Sequence, residues 1–592
     1  MTRIIRYFLF LTICTLSLFS CRTDPAKTAS TTKTELASEA VVTSRLRADP
    51  GSLNPMMTVQ GIDLQVVYNM FQSMIEYDTY DLTLKPMLAK AMPVATYIKE
   101  DGKVVGTKYD YEIKPEAVWE NGQPVLASDY VFTLKAIMNP KMTGPTATYR
   151  SHLSAISIVT PDPENPRKFS ITLAPFNFRG EYIGGGFQIV PEYVYDPKGL
   201  LKNVAINDLL NPEKAEVLAN TVPELQTYAN ELNTPEFSRE KISGSGPYQF
   251  KEWVTDEKIV LEKKKDWWGD RYAKDNGMFE AYPRQIIYRP MRDATPAVAM
   301  LQNGTLDATY QLPNSTFLEL KDDPNITKNY NLLNPPSILV SYVGINGNNP
   351  KLKDKRVRQA LAHLMDMDEV INSVKLGMAQ KMTSVIPSVL PYAAKNLEPY
   401  DFNIEKAIQL LTEAGWKDSN NNGTVDKTIN GKLEEMKLEY IFSSGSEVSN
   451  GIAIIFQNAA KKAGVEINAS PVERGEINKK ISSKNFELYP AAFGADLDYY
   501  DFFDFWHTTG PRNRFGFGNA ETDKIIEEIR TTTDNVRRNQ LYQEIQEIMY
   551  DEMPILYLYR TQDCVAIHKR FDNAKTSISP PVYTERRFIL KE

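Results

Sequence analysis

Histidine and cysteine are the residue types that most often carry metal or nucleophilic chemistry, and this chain of 592 residues has few of them. Its four histidines are far apart in the sequence, and none lies in an HExxH pattern; they are His152, His363, His507 and His568. The chain contains no G-x-S-x-G segment, and the segment 244–247 lacks the lysine and the glycine spacing of a phosphate loop. The sequence therefore predicts no catalytic residues, no metal site and no cofactor.

One segment imitates a calcium-binding loop at its positions one, three, five, six and nine, which are Asp418, Asn420, Asn422, Gly423 and Asp426. Position twelve, where a bidentate Glu is expected, is Ile429, so the loop lacks its strongest oxygen ligand. Asp, Asn and Gly tolerate left-handed backbone. We therefore predict a surface turn between a helix and a strand.

The first twenty residues have the pattern of a signal peptide, because Arg3 and Arg6 precede an apolar run that is too short to span a membrane comfortably. Leu18-Phe19-Ser20-Cys21 resembles a lipobox, in which the Cys is diacylated and becomes the new N-terminus. We expect residues 1–20 to be a signal peptide, Cys21 to carry the lipid, and residues 21–40 to form a flexible tether. An ordinary secretory signal with a chance cysteine is the alternative.

The composition narrows the function classes. A net charge of −7 without a long basic block argues against a nucleic-acid partner. After removal of the signal peptide and acylation of Cys21, Cys564 is the remaining thiol, so no intrachain disulfide can form. The remaining length, about 550 residues, is enough for two or three domains.

Strand-like and helix-like segments alternate along the chain, which indicates a mixed α/β fold. Residues 436–442 alternate apolar and polar side chains, residues 451–463 have the period of a helix, and residues 465–469 alternate again. This order is typical of a βαβ unit. Asp354 precedes another helical run as a capping residue, and Gly415 ends a further run that lies between Asn403 and Ala414.

Short phrases with ordinary structural explanations are spread over more than 500 residues. Asp129 is predicted to cap a helix, and Arg356 and Arg358 are predicted to fix their helix to a neighbour. The phrases, in order, are Leu53-Asn54-Pro55, Tyr68-Asn69-Met70-Phe71, Leu84-Lys85-Pro86-Met87-Leu88-Ala89, Val118-Trp119-Glu120-Asn121-Gly122, Ala127-Ser128-Asp129-Tyr130-Val131-Phe132, Gly244-Ser245-Gly246-Pro247-Tyr248, Trp267-Trp268-Gly269, Asp354-Lys355-Arg356-Val357-Arg358-Gln359-Ala360-Leu361, Gly415-Trp416 and Pro554-Ile555. Together they resemble solute-binding protein family 5, the oligopeptide- and dipeptide-binding receptors of bacterial ABC importers.

The resemblance implies an α/β, two-lobed, periplasmic-binding-protein-like fold of type II, similar to cluster C, with an additional small α/β subdomain. Lobe I would be discontinuous and comprise residues 41–60, 180–335 and 555–592. Residues 61–179 would form the subdomain inserted in lobe I, and residues 336–554 would form lobe II.

The resemblance also implies an extracytoplasmic substrate-binding lipoprotein that encloses a short peptide between its lobes and performs no covalent chemistry on it. Its partners would be the peptide, the permease and ATPase subunits of an ABC importer, and the membrane through the lipid anchor; it would act as a monomer in the periplasm or cell envelope. The alternatives are the same fold with another solute (an oligosaccharide, an opine, haem or a nickel complex), a secreted hydrolase, and a sensor lipoprotein.

In family members, an Asp that follows an aromatic-small-Ala segment binds the ammonium of the peptide. Phe493-Gly494-Ala495-Asp496 matches this pattern, so Asp496 is the predicted ammonium partner, and Phe493, Gly494 and Ala495 are predicted to line the site. Leu497-Asp498 replaces the Tyr that usually follows, and Asp498 and Asp501 lie near enough in the sequence to be alternative partners. Trp506 ends the aromatic run 499–506 and is predicted to line either the pocket or the core.

Overall fold

The computed structural model describes residues 40–494, 497 and 499–591. One of its two large sheets has seven strands, and we call the part of the molecule around it lobe I. In spatial order the strands are Tyr248–Val254, Lys258–Lys263, Gln285–Pro290, Val41–Leu46, Ala308–Thr309, Val565–His568 and Tyr330–Leu333. Val41–Leu46 runs parallel to both of its neighbours, so the first described strand lies in the middle of the sheet.

The second large sheet has six strands and forms the centre of lobe II. In spatial order they are Ala379–Lys381, Ile555–Gln562, Pro336–Ile345, Leu488–Gly494, Lys437–Ser443 and Glu466–Val472. The last two are parallel, with Leu438 opposite Ile467, and the helix Glu447–Lys462 connects them. The predicted βαβ unit is confirmed. Its helix begins four residues earlier than the apolar period indicates, because the hydroxyl of Ser446 accepts a hydrogen bond from the amide of Ser449.

A four-stranded antiparallel sheet is joined to lobe I, with strands in the order Ala95–Glu100, Lys103–Glu112, Lys168–Leu173 and Ile156–Pro161. The helices Ala127–Met138 and Pro145–Leu153 accompany it. Its buried side chains, such as Tyr111 and Ile171, belong to the same apolar cluster as Tyr288 of the seven-stranded sheet. The small sheet and lobe I therefore share one core.

Other elements cover these sheets. The helices of lobe I are Gly61–Val67, Gly180–Gly185, Glu192–Tyr195, Ile206–Leu209, Pro212–Thr221, Pro223–Leu232, Ala294–Gln302, Asn314–Asp322 and Pro324–Asn329. Those of lobe II are Lys355–His363, Met367–Glu369, Ile404–Glu413, Arg474–Ser482, Phe503–Trp506, Ala520–Thr531 and Asn535–Glu552. The two-stranded pairs are Gln72–Ser73 with Gln188–Ile189, Ile75–Asp78 with Thr83–Pro86, Asp426–Ile429 with Lys432–Glu435, and Phe571–Asp572 with Ile589–Leu590.

Within the described residues, the chain crosses between the two large sheets twice. The first crossing follows Leu333 and the second follows Gln562. The amide of Asp563 donates to the carbonyl of Pro335 over 2.8 Å, so the two crossings run side by side. Whereas the sequence predicts that lobe I resumes at residue 555, the strand that begins there pairs with Pro336–Ile345 in the six-stranded sheet. Two adjacent crossings are the arrangement that a hinge between lobes requires.

Several predicted helix ends are confirmed. Asp354 accepts the amide of Arg356, and Gly415 has a φ of +88°. Asp129 is different. It lies in the first turn of its helix, and the residue at the N-cap position is Leu126. The carboxylate of Asp129 accepts hydrogen bonds from the amide of Leu126 and from the indole of Trp119. No helix in the described part of the chain is both long and apolar enough to cross a membrane.

Arg358 fixes the helix Lys355–His363 to the end of the long helix Asn535–Glu552, as predicted. Its guanidinium donates to the carbonyl of Glu552 and to those of Leu352 and Lys353 over 2.6–3.0 Å. We expect Arg358→Ala to lower the free energy of unfolding of lobe II by about 2–4 kcal/mol, because three carbonyls, of Leu352, Lys353 and Glu552, lose a buried charged donor. Calorimetric melting curves measure the loss.

The matched control is Arg356→Ala. The Arg356 side chain is 43% exposed; it pairs with Asp354 and donates to the carbonyl of Glu413 over 2.7 Å at the surface, so its removal is expected to cost about 1 kcal/mol or less. Equal shifts in melting temperature for the two variants would contradict this account of Arg358.

Candidate functional site

Two adjoining cavities lie between the two large sheets. We call the first the lobe I cavity, because its described walls come from lobe I except for Leu497. We call the second the interlobe cavity, because both lobes line it. The two have volumes of about 230 and 610 Å³ and share the walls Tyr68, Arg179, Tyr182 and Gln188. Volumes of this order are typical of sites for small ligands.

The wall at Tyr68 and Phe71 is supported by close backbone packing behind it. The amide of Gly246 donates to the carbonyl of Met70 over 2.8 Å, and the indoles of Trp267 and Trp268 both donate to the carbonyl of Ser245. A Cβ on Gly244 would lie 2.2 Å from the carbonyl oxygen of Met70. Three of the quoted sequence phrases therefore meet here, and glycine is required because two stretches of backbone touch.

Glu76 is the acidic group of the lobe I cavity that has the weakest set of partners. Its two carboxylate oxygens accept from the amide of Tyr77 (3.1 Å), the hydroxyl of Ser73 (3.3 Å), the amide of Gln188 (3.4 Å) and the phenol of Tyr182 (3.5 Å). All four donors are neutral and three of the bonds are long. Burial raises the pKa of Glu76 to about 7, and the positive charge of Arg586 opposes this effect without cancelling it.

The segment 579–587, near the end of the chain, forms the opposite wall. Arg586 is 8% exposed, and its guanidinium donates to the carbonyls of Tyr68 and Met278 over 2.7 and 3.0 Å. Burial lowers the pKa of Arg586 to about 10. No carboxylate among the described residues lies within 4 Å of it, whereas Arg587 pairs with Glu280 over 3.2 Å. Arg586 thus holds the wall to its neighbours through backbone carbonyls.

Gln72 brings an unused donor to the same cavity. It is 5% exposed, and its side-chain oxygen accepts from the hydroxyl of Ser245 over 3.1 Å. Its amide nitrogen has no hydrogen-bond partner among the residues that the structure describes. A buried donor without an acceptor costs free energy, so a ligand group or water that accepts from it is favoured.

Aromatic and paired charged side chains line the interlobe cavity. Lobe II contributes Phe493, Gly494, Tyr500 and Phe505, together with Arg512, which pairs with Asp504 over 2.7 Å. The Arg512 guanidinium lies 4.2 Å from the centre of the Phe505 ring. The walls of this cavity are therefore amphipathic, and they combine apolar faces with hydrogen-bonding groups.

The two lobes touch beside the cavities. The rings of Phe178 of lobe I and Tyr499 of lobe II have centroids 6.3 Å apart, and the guanidinium of Arg538 lies 5.5 and 5.2 Å from them. Leu82 of lobe I also packs against the lobe II core. The two lobes are therefore in contact beside the ligand space.

The residues that the sequence predicts for the site have different outcomes. Phe493 and Gly494 line the interlobe cavity. Ala495, Asp496 and Asp498 lie outside the described residues, so their assignment stays a prediction. Trp506 is fully buried in the core of lobe II, where its ring stacks on Phe515 at 5.1 Å between centroids, and it lines neither cavity.

The other candidate groups have structural explanations. The carboxylate of Asp418 accepts the amides of Asn422 and Gly423, which makes the calcium-like segment a turn. Cys564 is buried beside the second crossing, 3.3 Å from the sulfur of Met378, and burial raises the pKa of its thiol to about 11. A thiol with this pKa is a poor nucleophile at neutral pH.

The lobe I residues Glu76, Gln72 and Arg586 are absent from the sequence-based prediction. Glu76 lies in an ordinary alternating segment, and Arg586 lies more than 500 positions away from it. The one signal that could have directed attention to this region is the phrase Tyr68-Asn69-Met70-Phe71, which adjoins Gln72 and precedes Glu76.

Known proteins with similar sequence or fold bear on this site. The oligopeptide-binding protein AppA of Bacillus subtilis is 26% identical over 535 residues, which are 88% of this chain and 87% of AppA. Its structure in complex with a nonapeptide has a TM-score of 0.64 and covers 94% of this chain and 99% of its own. NikA from Brucella suis, in complex with Fe(III)-EDTA, has 18% identity and a TM-score of 0.72, and covers 93% and 100%.

These two structures share a fold but hold different ligands, so the fold alone does not identify the solute. The predicted two-lobed fold of type II is confirmed by both likenesses. The model of the bacterial extracellular solute-binding proteins, family 5, matches residues 83–514. With this match over most of its length, the chain belongs to the bacterial extracellular solute-binding proteins of family 5.

Proposed function

We propose that this protein is the substrate-binding lipoprotein of an ABC importer and that it captures short peptides between its two lobes. The similarity to AppA, which is named an oligopeptide-binding protein, supports a peptide ligand, and this similarity extends over 88% of the chain. The protein performs no covalent step; it closes around the peptide and presents it to the permease. Its tether is anchored in the membrane by a lipid on Cys21.

The observation that carries the peptide assignment is a strand edge at the cleft. Leu488–Gly494 pairs along its full length with Pro336–Ile345 on one side. On its other side, within the described residues, its strand pairing is limited to Leu488 opposite Tyr440. Among the residues that the structure describes, this edge therefore has no strand partner from Tyr489 to Gly494, and it ends at Phe493 and Gly494 in the cavity wall. An extended peptide can bind along such an edge through its backbone, independently of its sequence.

Asp496 completes this proposal as the partner of the peptide ammonium, with Asp498 as the alternative. Gly494 and Leu497, the nearest described residues on either side of Asp496, line the interlobe cavity and the lobe I cavity, respectively. An ammonium buried in a closed cleft requires a carboxylate, because an unpaired buried charge costs several kcal/mol. The predicted lobes and inserted subdomain would then close about the two crossings at residues 334–335 and 563–564.

Incubation of the purified protein with a mixture of tri- to pentapeptides tests the proposal. We expect intact peptides to be recovered from the protein after gel filtration and heat denaturation, with no cleavage products in the supernatant. Peptide fragments that accumulate with time would make the protein a hydrolase, and the recovery of no peptide at millimolar concentrations would contradict the proposed ligand class.

A further inference from the structure

Glu76 is the feature of the lobe I cavity that the proposed function leaves unexplained. A carboxylate at a ligand site without a cationic partner is expensive to bury, and its cost is reduced when a cation arrives. No Lys or Arg in the described part of the chain lies within 4 Å of the Glu76 oxygens, whereas nearby Asp78 pairs with Lys85 over 2.8 Å. Glu76 can therefore still form an ion pair with a cation, whereas Asp78 already has one with Lys85.

The walls around Glu76 suit the rest of a long cationic side chain. Tyr182 donates weakly to Glu76, and its ring lies 5.2 Å from that of Tyr77, centroid to centroid. Tyr68 and Met87 line the same cavity. Aromatic faces stabilise both methylene groups and cations, and lysine and arginine carry both.

Three arginines line the cavity and oppose a cation, namely Arg179, Arg586 and Arg587. The charges of the last two are held elsewhere. Arg587 lies beside Glu280 and Asp78, and the terminal nitrogens of Arg586 are bonded to the backbone carbonyls of Tyr68 and Met278. Neither arginine forms an ion pair with Glu76. Coulomb energy falls with distance, so a cation in hydrogen-bond contact with Glu76 is attracted more strongly than it is repelled by a guanidinium beyond contact.

We propose that the lobe I cavity selects a positively charged side chain of the bound peptide, a lysine or an arginine, with the Glu76 carboxylate as its counter-ion. This inference rests on the proposed peptide-binding function. It assigns the lobe I cavity to a side chain of the peptide, whereas the amino terminus of the peptide binds the carboxylate proposed in lobe II, that of Asp496.

The proposal implies a proton coupled to binding. The charged and titratable groups around Glu76 are Arg586, Tyr68, Tyr149, Tyr182 and Arg179, and Tyr77, Glu585 and Arg587 line the same cavity. Burial raises the pKa of Tyr68 and of Tyr149, so these phenols stay neutral near pH 7, and Arg586, with a pKa of about 10, stays charged. Burial also raises the pKa of Glu585, whose carboxylate accepts from Ser44 and Gln65 over 2.8 and 2.7 Å. The group whose pKa lies near 7 is Glu76. Its pKa of about 7 must fall when a cation binds, so a lysine peptide should expel roughly half a proton at pH 7, and its affinity should decrease below that pH.

The test compares tripeptides of alanine in which one position is replaced by lysine or by norleucine, which has the same carbon chain without the ammonium. Calorimetric titration at pH 7.5 should show, at one of the three positions, a preference for lysine of roughly tenfold or more. In Glu76→Gln the preference should fall to about twofold or less. Glu76→Asp keeps the negative charge and should retain part of the preference for lysine.

Titration of the unaltered protein in two buffers of different ionisation enthalpy measures the proton and needs no variant. Tripeptides that bind without any lysine preference, or a preference that Glu76→Gln leaves intact, would overturn the inference and leave the proposed function standing. N-acetylated peptides test whether binding depends only on a free amino terminus. If it does, the cation that Glu76 binds is the terminal ammonium, and the inference of a side-chain site is overturned. Failure of every tripeptide to bind would overturn the proposed function itself.

Discussion

Replacement of Asp496 by Ala is expected to weaken the binding of a short peptide by about 2–5 kcal/mol, the usual cost of removing one member of a buried charge pair. The ammonium of the peptide would then lie in the closed cleft without a counter-ion. Isothermal titration with a tripeptide measures the change in affinity. The melting temperature without peptide should stay within a degree or two of that of the unaltered protein, because the carboxylate serves the ligand.

The matched variant is Asp498→Ala, which removes the neighbouring carboxylate from the same segment. We expect it to change the affinity by about 1 kcal/mol or less. A large effect of Asp498→Ala together with no effect of Asp496→Ala would transfer the role to Asp498. No effect in either variant would remove this segment from ammonium binding.

Gly244→Ala is expected to destabilise lobe I by about 2–4 kcal/mol. The new Cβ would lie 2.2 Å from the carbonyl oxygen of Met70 and 2.8 Å from the Phe71 ring. A backbone oxygen cannot rotate away as a flexible side chain can, so the two segments must separate. Because Tyr68 and Phe71 line the lobe I cavity, we expect weaker peptide binding as well. Thermal unfolding and titration measure the two effects.

Gly475→Ala controls for the added methyl group. Gly475 lies in the helix Arg474–Ser482, a Cβ added to it would have no heavy atom within 4 Å, and its φ is outside the left-handed region. Alanine in a helix is expected to be neutral or to stabilise by up to about 1 kcal/mol. Equal destabilisation by both substitutions would show that the close contact at Gly244 carries no special cost.

Local features of this fold could be predicted from the sequence because short-range chemistry decides them. Asp354 caps its helix through its own side chain, and Gly415 ends a helix in the left-handed conformation that glycine tolerates. The βαβ unit at 437–472 follows from the change of apolar period from two to 3.6 and back. The family phrases add the two-lobed arrangement, which no single segment predicts.

Features that depend on long-range contact were less accessible. The helix that contains Asp129 begins before this residue, although an Asp is typical of the capping position. Its carboxylate instead accepts hydrogen bonds from the indole of Trp119 and the amide of Leu126. Trp506 belongs to an aromatic run that could line a pocket, yet it is buried against Phe515. The side chain of Glu76 becomes a site residue only because distant segments enclose it and raise its pKa.

Contact between the lobes also has an energetic consequence. Phe178, Tyr499 and Arg538 make contact across the cleft. A peptide shifts the balance further toward closure only if it binds the closed form better than the open one. The free strand edge beyond Leu488 and the carboxylates proposed for the peptide charges provide contacts that require both lobes.

The central claim is that the cleft holds a short peptide, and mass spectrometry of the molecules that copurify with the protein tests it most directly. The protein is expressed with its tether, purified without refolding and denatured, and the released molecules are identified and counted against the protein. We expect a mixed set of short, intact peptides in an amount that approaches one per protein chain. A sugar, an opine, haem or a metal chelate released in that amount, with peptides absent, would contradict the claim.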